Sequence, residues 1–282
     1  MRLAKWAGWV RDENGKTEQV QSRAETEARE KKYKLNEKYV KELGKVYSAL
    51  NESEKIAVQE VLAKKIDLTN RFAVSKFNTI AGVDLAYSKN RNGNVFAICC
   101  IDVMDIRTKE ILNTSIGVGL TPVPYSPYFL SFREVPAILS AYNSLWCKPD
   151  LLMIDGNGYL HYRHMGLATH AAIELNTPAI GVAKNYLKIN DIDYKMPKNE
   201  VGAYTDIIIR GEVYGRALRT RRDVKPIFVS CGNWIDLDTA TEITLSMVTP
   251  ESRQPLPTRT SNIKLRSLRR RFILEEGWNL AQ

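Results

Sequence analysis

The sequence predicts an α/β fold, with helices packed on a mixed β-sheet. Three successive apolar segments separated by turn signals fill residues 79–117. Helical and strand-like patterns then alternate from about residue 130 onward. Two of the apolar strands carry an aspartate where the run ends or is interrupted, Asp84 in IAGVDLAY and Asp155 in LLMIDGNG.

The 282 residues are 44% apolar, enough for one main domain with appendages. Residues 12–50 are highly charged with sparse apolar positions, and Glu25–Lys45 reads as a solvent-exposed helix. Ile56, Ala57 and Val61 recur at helical spacing and predict a helix over Glu54–Lys65. Beyond Phe77 the period changes. Thr79–Tyr87 and Val95–Met104 are strands joined by the turn residues Lys89–Asn94, and Glu110–Gly117 is a third. They form an antiparallel meander.

Pro122, Pro124 and Pro127 stiffen the next loop by fixing their own φ and biasing their neighbours to extended backbone. Phe132–Trp146 reads as a helix with Ser131 as N-cap, Glu134 as capping-box partner and Pro136 in the first turns. Asp150–Ile154 is a strand ending at Asp155, and Gly156 and Gly158 open a loop. Gly166–Asn176 is helical and Pro178–Val182 is a strand running to Lys184. Residues 188–202 form a polar excursion, Gly211–Leu218 and Pro226–Ser230 are strands, and Leu237–Met247 is a helix started by Asp236 or Asp238.

Composition removes several classes of function. No apolar run is long enough to cross a bilayer, and Met1–Val10 lacks the apolar core and cleavage site of a secretory signal. Cys99, Cys100, Cys147 and Cys231 have no ligand spacing and fit free thiols in a reducing compartment. The formal charge is +9, and residues 259–271 hold six basic and no acidic side chains. A polyanion is the natural partner of such a stretch, although a solvated face or a membrane-surface helix has the same composition.

Aspartate is a poor strand residue, so Asp84 and Asp155 need a reason. Each alone reads as a turn or cap. Together, on neighbouring strands and joined by Glu134, they make an oxygen-rich pocket suited to Mg²⁺ or Mn²⁺. Glu134 has the capping box as its competing role. A metal there would activate water against a phosphate, and Lys184 would supply fixed positive charge to the transition state. His161 has a ring nitrogen able to position water or protonate a leaving group. For Lys184 and His161 plain solvent exposure is the competing reading.

GVDLAY, PYSPYFLSFREVP, DGNGYLHYRHMGLATH, IGVAK, FVSCGN and PLPTRTS lie in order over most of residues 55–262 and together resemble the endonuclease V family. The resemblance implies a ribonuclease H-like fold and a Mg²⁺-dependent endonuclease, with Mn²⁺ as substitute. It implies a cut at the second phosphodiester bond 3′ to inosine or deoxyinosine, leaving 3′-hydroxyl and 5′-phosphate ends. Asp84, Glu134 and Asp155 match the family's metal carboxylates, Lys184 its GVAK lysine, His161 its DGxGxxH histidine and Tyr125 the wedge that enters the strand at the lesion. Pro124, Tyr128, Arg133, Gly156, Gly158, Arg163 and Arg259 are then candidates for nucleic-acid contact. Backbone N–H groups near Gly156–Gly158 or the 125–130 loop would select the O6 of hypoxanthine.

Three departures stand out. Tyr128 replaces the wedge-motif glycine. His161-Tyr162-Arg163 replaces a bacterial HPR triplet, which with DGNG leans toward eukaryotic-like members acting on RNA. Asn233 stands where a histidine is common, with Asp236 as a nearby carboxylate or a helix cap. The domain reading is an N-terminal extension over 1–50, a catalytic domain over 51–262 and a basic C-terminal helix or tail over 263–282. The partner is RNA or DNA containing inosine, with no membrane. A monomer in the cytoplasm or nucleus is the default. Two other functions fit the sequence: a non-cleaving binder of inosine-containing nucleic acid, and a broader structure-directed nuclease.

Overall fold

The computed structural model describes residues 9–11, 17–19, 38–89, 94–121 and 124–274. Residues 1–39 form one unit, in which β1 (Trp9–Arg11) and β2 (Thr17–Gln19) pair antiparallel. Most of the expected Glu25–Lys45 helix lies outside the described residues; a helix, α1, covers 38–49, and from Val40 on it belongs to the second unit, Val40–Gln282.

The second unit is built on a sheet of eight strands in the order β5-β4-β3-β6-β7-β10-β9-β8. β3 (Thr79–Lys89), β4 (Val95–Asp105) and β5 (Ile111–Leu120) are the predicted antiparallel meander. β6 (Leu151–Ile154) and β7 (Ala179–Ala183) then run parallel to β3, and β10 (Ile227–Asn233), β9 (Glu212–Leu218) and β8 (Tyr204–Ile209) close the sheet antiparallel. The α/β, ribonuclease H-like expectation is met. β8 escaped the sequence reading because its pattern, YTDIII, puts Asp206 next to an unalternating apolar run.

Alternation along each strand sends the chain's apolar residues to the two faces of the sheet. Ala81, Val83, Cys99, Ile101, Leu152 and Ile154 pack under α1, α3 (Leu130–Ser144) and α4 (Leu167–Leu175). Ile80, Met104, Leu151, Met153 and Val229 face α5 (Leu237–Ser246), while Ile98 and Cys100 meet Leu265 of α6 (Leu256–Leu274). α2 (Glu52–Ala63) begins on Asn51, whose side chain accepts from the Glu54 N–H in a capping box.

α6 lies so close to the sheet that a Cβ on Gly82 would stand 1.9 Å from the Pro257 carbonyl oxygen. Only glycine permits that approach, and it brings Ser261 within 2.9 Å of the Gly82 carbonyl. The helix runs unbroken through residues 262 and 263, so its start belongs to the packed body of the sheet.

Candidate active site

Parallel pairing of β3 with β6 sets the centre of the site. Val83 is opposite Ile154, and the Asp155 N–H donates to the Val83 carbonyl at 2.9 Å. Asp84 and Asp155 are therefore the next residues of adjacent strands, on the face covered by α6. Asp84 is buried. Its carboxylate accepts from the Leu85 N–H at 2.8 Å and from Asn262 Nδ2 of α6 at 2.6 Å. Burial, with the Asp155 charge alongside, pushes the Asp84 carboxyl up to about 6. Lys184, one residue past β7, forms an ion pair with Asp155.

Glu134 comes from α3, across the sheet. The predicted capping box is absent: Phe129 is the N-cap residue with no side-chain cap bond, because α3 starts two residues earlier than expected. Ser131 is instead bonded to His170 at 2.9 Å, and the buried Glu134 accepts from the Tyr87 hydroxyl. Burial raises the Glu134 carboxyl most; the Tyr87 bond pulls it back, the Asp84 and Asp155 charges add to it, and it stands at about 8. Arg133 sits 4.3 Å over the Tyr87 ring and lends positive charge nearby.

Among the described residues no three His, Cys, Asp or Glu side chains already converge as a metal cage. The Asp155 charge nonetheless bears on Asp84, and the Asp84 and Asp155 charges bear on Glu134. Their oxygens are hard donors, and a divalent cation would relieve that repulsion. The donor set fits Mg²⁺.

Beside this cluster lies a cavity of about 210 Å³, lined among others by Tyr125, Ser131, Asn157, His161 and Asn185. Tyr125 stands at it 67% exposed. His161 is buried in the wall, and its partners are the Pro127 and Tyr128 carbonyls and the Arg163 N–H. Burial, with the Arg163 charge, holds it down at about 4, so it is a neutral imidazole that pins the 125–130 loop rather than a group facing the carboxylates.

Arg163 is occupied in the same way. It donates to Gln59 Oε1 at 2.6 Å and lies 5.3 Å over the Phe129 ring. Tyr128 lies tilted against Tyr162 with ring centroids 4.3 Å apart, a partner the wedge glycine would lack. Pro124 is exposed beside Tyr125. Gly156 leads from Asp155 into the cavity loop; Gly158 is held by packing, since its N–H donates to Ser230 and an added Cβ would stand 2.1 Å from the Cys231 carbonyl oxygen. That N–H is therefore already taken by Ser230.

Other predicted residues lie elsewhere. β10 runs antiparallel to β7, so Phe228 is opposite Ala183 and Asn233 opposite Ala179. Asn233 is thus about 13 Å along the sheet from the Lys184 end, at ~3.3 Å per residue. It accepts from the Asp67 N–H at 2.7 Å, and Asp236 caps α5 by accepting from the Thr239 N–H at 2.7 Å. Neither joins the carboxylates. Arg259 pairs with Glu251 at 3.6 Å near the start of α6.

Tyr87, Asn157 and Asn262 were missed by the sequence reading. Tyr87 was detectable, because a position three beyond Asp84 on a strand faces the other helix layer. Asn262 carried no signal beyond lying after PLPTRTS.

Sheet order and charge arrangement are those expected of a metal-dependent nuclease. Residues 60–263 match the family model described as Endonuclease V. Endonuclease V of Bacillus thuringiensis is 52% identical over 216 residues, covering 77% of this chain and 92% of the relative. The chain belongs to the endonuclease V family and is a Mg²⁺-dependent endonuclease. The crystal structure of the Bacillus subtilis family member has a TM-score of 0.78 at 50% identity, covering 81% of this chain and 96% of that one. Endonuclease V of Ciona intestinalis, in complex with a 24mer DNA containing an inosine followed by a ribo-adenosine, has a TM-score of 0.69 at 28% identity, covering 78% and 98%. These identities overturn the lean toward eukaryotic-like members: the bacterial relatives match far better, and the His161-Tyr162-Arg163 triplet is a local difference. No helix among the described residues is long and apolar enough to cross a membrane.

Proposed function

We propose that this endonuclease cuts RNA or DNA strands at the second phosphodiester bond 3′ to inosine or deoxyinosine, leaving 3′-hydroxyl and 5′-phosphate ends. The observation that carries the reading is the pairing of Val83 with Ile154, which puts Asp84 and Asp155 side by side next to a base-sized cavity. The cavity is smaller than the roughly 300 Å³ at which pockets for drug-sized ligands begin, a size suited to one extruded base. Inosine as that base is supported by the Ciona relative.

Asp84, Asp155 and Glu134 would hold Mg²⁺, or Mn²⁺ in its place. When bound, the ion supplies Lewis acidity to a phosphate oxygen and lowers the pKa of an attacking water. Asn262 orients Asp84 and Tyr87 orients Glu134, so neither carboxylate has to be ordered during the reaction. Lys184 holds Asp155 and presents positive charge where the phosphoryl group develops negative charge. Tyr125, exposed at the cavity mouth, fills the gap left by the extruded base and returns part of the opening cost by stacking.

The test uses single-stranded RNA and DNA, each with one inosine or none, incubated with Mg²⁺, Mn²⁺ or EDTA. Metal-dependent cuts at one fixed position 3′ to inosine are expected. Equal cutting of inosine-free strands would instead mean a broad nuclease, and binding with no cut in either metal a non-cleaving binder.

A further inference from the structure

A residue of the cavity wall, Asn157, carries an acceptor with nothing to accept. Asn157 Oδ1 is fully buried and has no hydrogen-bond partner among the described residues, and Asn157 lines the cavity two residues after Asp155. A buried carbonyl oxygen left bare costs about 1–3 kcal/mol, so its persistence calls for an occupant that donates to it.

The backbone around it is fixed. The Asn157 carbonyl accepts from the Ala168 N–H at 3.0 Å, and the next N–H, of Gly158, donates to Ser230 Oγ at 2.9 Å. Added Cβ atoms would stand 2.3 Å from the Asn157 carbonyl oxygen at Gly166 and 2.8 Å from the Asn157 carbonyl carbon at Gly181. Asn157 is thus wedged between two glycines, on backbone that cannot drift to give Oδ1 a protein partner. The backbone is set before any ligand arrives, and a turn of the side-chain amide would bring Oδ1 to a base in the cavity.

We infer that Asn157 is a specificity-determining residue whose Oδ1 accepts a hydrogen bond from N1–H of an extruded hypoxanthine. The inference rests on the proposed inosine specificity. Its chemistry is independent of the O6 contact: hypoxanthine carries a proton on N1, whereas adenine presents a lone pair there. An acceptor facing N1 gains a hydrogen bond with the deaminated base and opposes two lone pairs with the normal one. Sites that hydrogen-bond a substrate group reject analogues lacking it far more strongly than apolar pockets reject a size change.

The experiment measures kcat/KM with Mg²⁺ on matched strands carrying inosine, 1-methylinosine or adenosine, for the wild-type chain, Asn157→Ala and Asn157→Asp. In the wild type, replacing N1–H by N1–CH₃ is expected to lower cleavage by about a hundredfold. Asn157→Ala should lose about tenfold or more on inosine and respond to N1-methylation by less than about threefold, because the group that read the proton is gone. Asn157→Asp keeps an acceptor and should keep the methylation penalty, which separates loss of reading from loss of folding. Equal methylation penalties in wild type and Asn157→Ala, or undiminished inosine cleavage by Asn157→Ala, would overturn the inference while leaving inosine specificity standing. Wild-type cleavage indifferent to inosine against adenosine would overturn both.

Discussion

The two ends of the sheet hold the same kinds of residue in opposite states. At one end Asp84, Asp155 and Glu134 lie within one another's fields, and Asp84 and Glu134 hold their protons to about 6 and 8. At the other, Asp236 caps α5 and is bonded to Asn70, Asn233 takes the Asp67 N–H, and Asp67 is held below the usual carboxylate range by Thr69. An aspartate at the end of a strand is therefore not in itself a mark of function. The mark is a group of buried carboxylates near enough to add to one another's charge, as at Asp84 and Glu134.

The largest expected difference between the two ends lies in catalysis. Asp84→Asn and Asp155→Asn should each lower kcat/KM on an inosine strand by on the order of a thousandfold. Asp236→Asn should change it by less than about threefold. Removing one charge from a repelling cluster should leave the thermal midpoint of Asp84→Asn unchanged or raised, checked by calorimetry.

Asn262→Leu should come next, with a fall of about tenfold. It removes a hydrogen bond to a charged group, of the kind worth roughly 1.5–3 kcal/mol. Single-turnover kinetics would place that loss in the chemical step rather than in binding.

At the far end the effects should fall on stability. Asp236→Ala deletes the α5 cap and should cost about 1 kcal/mol in denaturant unfolding, with cleavage retained. Asn233→His should bring no gain in cleavage. A gain of several-fold would break the comparison.

The last difference is confined to acid, and at neutral pH it is the smallest. His161 and His170 are buried neutral at about 4 and 3, below the ordinary 6.5. Between about 4 and 6.5 the unfolded chain binds protons that the folded chain refuses, so their contribution is present above 6.5 and lost as pH falls. His170→Gln should flatten the slope of unfolding free energy against pH in that window, measured by urea titration.

Much of this arrangement is legible in the sequence, for a physical reason. Strands ending in Asp84 and Asp155 announce themselves because apolar alternation breaks at a charge, and two parallel strands pair by their hydrophobic pattern. What is not legible depends on contacts between distant elements. Glu134 reads as a capping partner until Tyr87, 47 positions away, claims it. Asn262, 178 positions from Asp84, is invisible until Gly82 lets α6 down onto the sheet. Asn233 looks catalytic in a motif, and only the register of β10 against β7 removes it.

A calorimetric titration of Mn²⁺ into the wild-type, Asp84→Asn, Glu134→Gln and Asp236→Asn chains addresses the shared field of the three carboxylates most directly. Wild type and Asp236→Asn should bind the ion with equal affinity, and Asp84→Asn and Glu134→Gln at least about tenfold more weakly. Unweakened binding by both Asp84→Asn and Glu134→Gln would mean that the ion sits elsewhere and that their displaced acidities have no part in holding it.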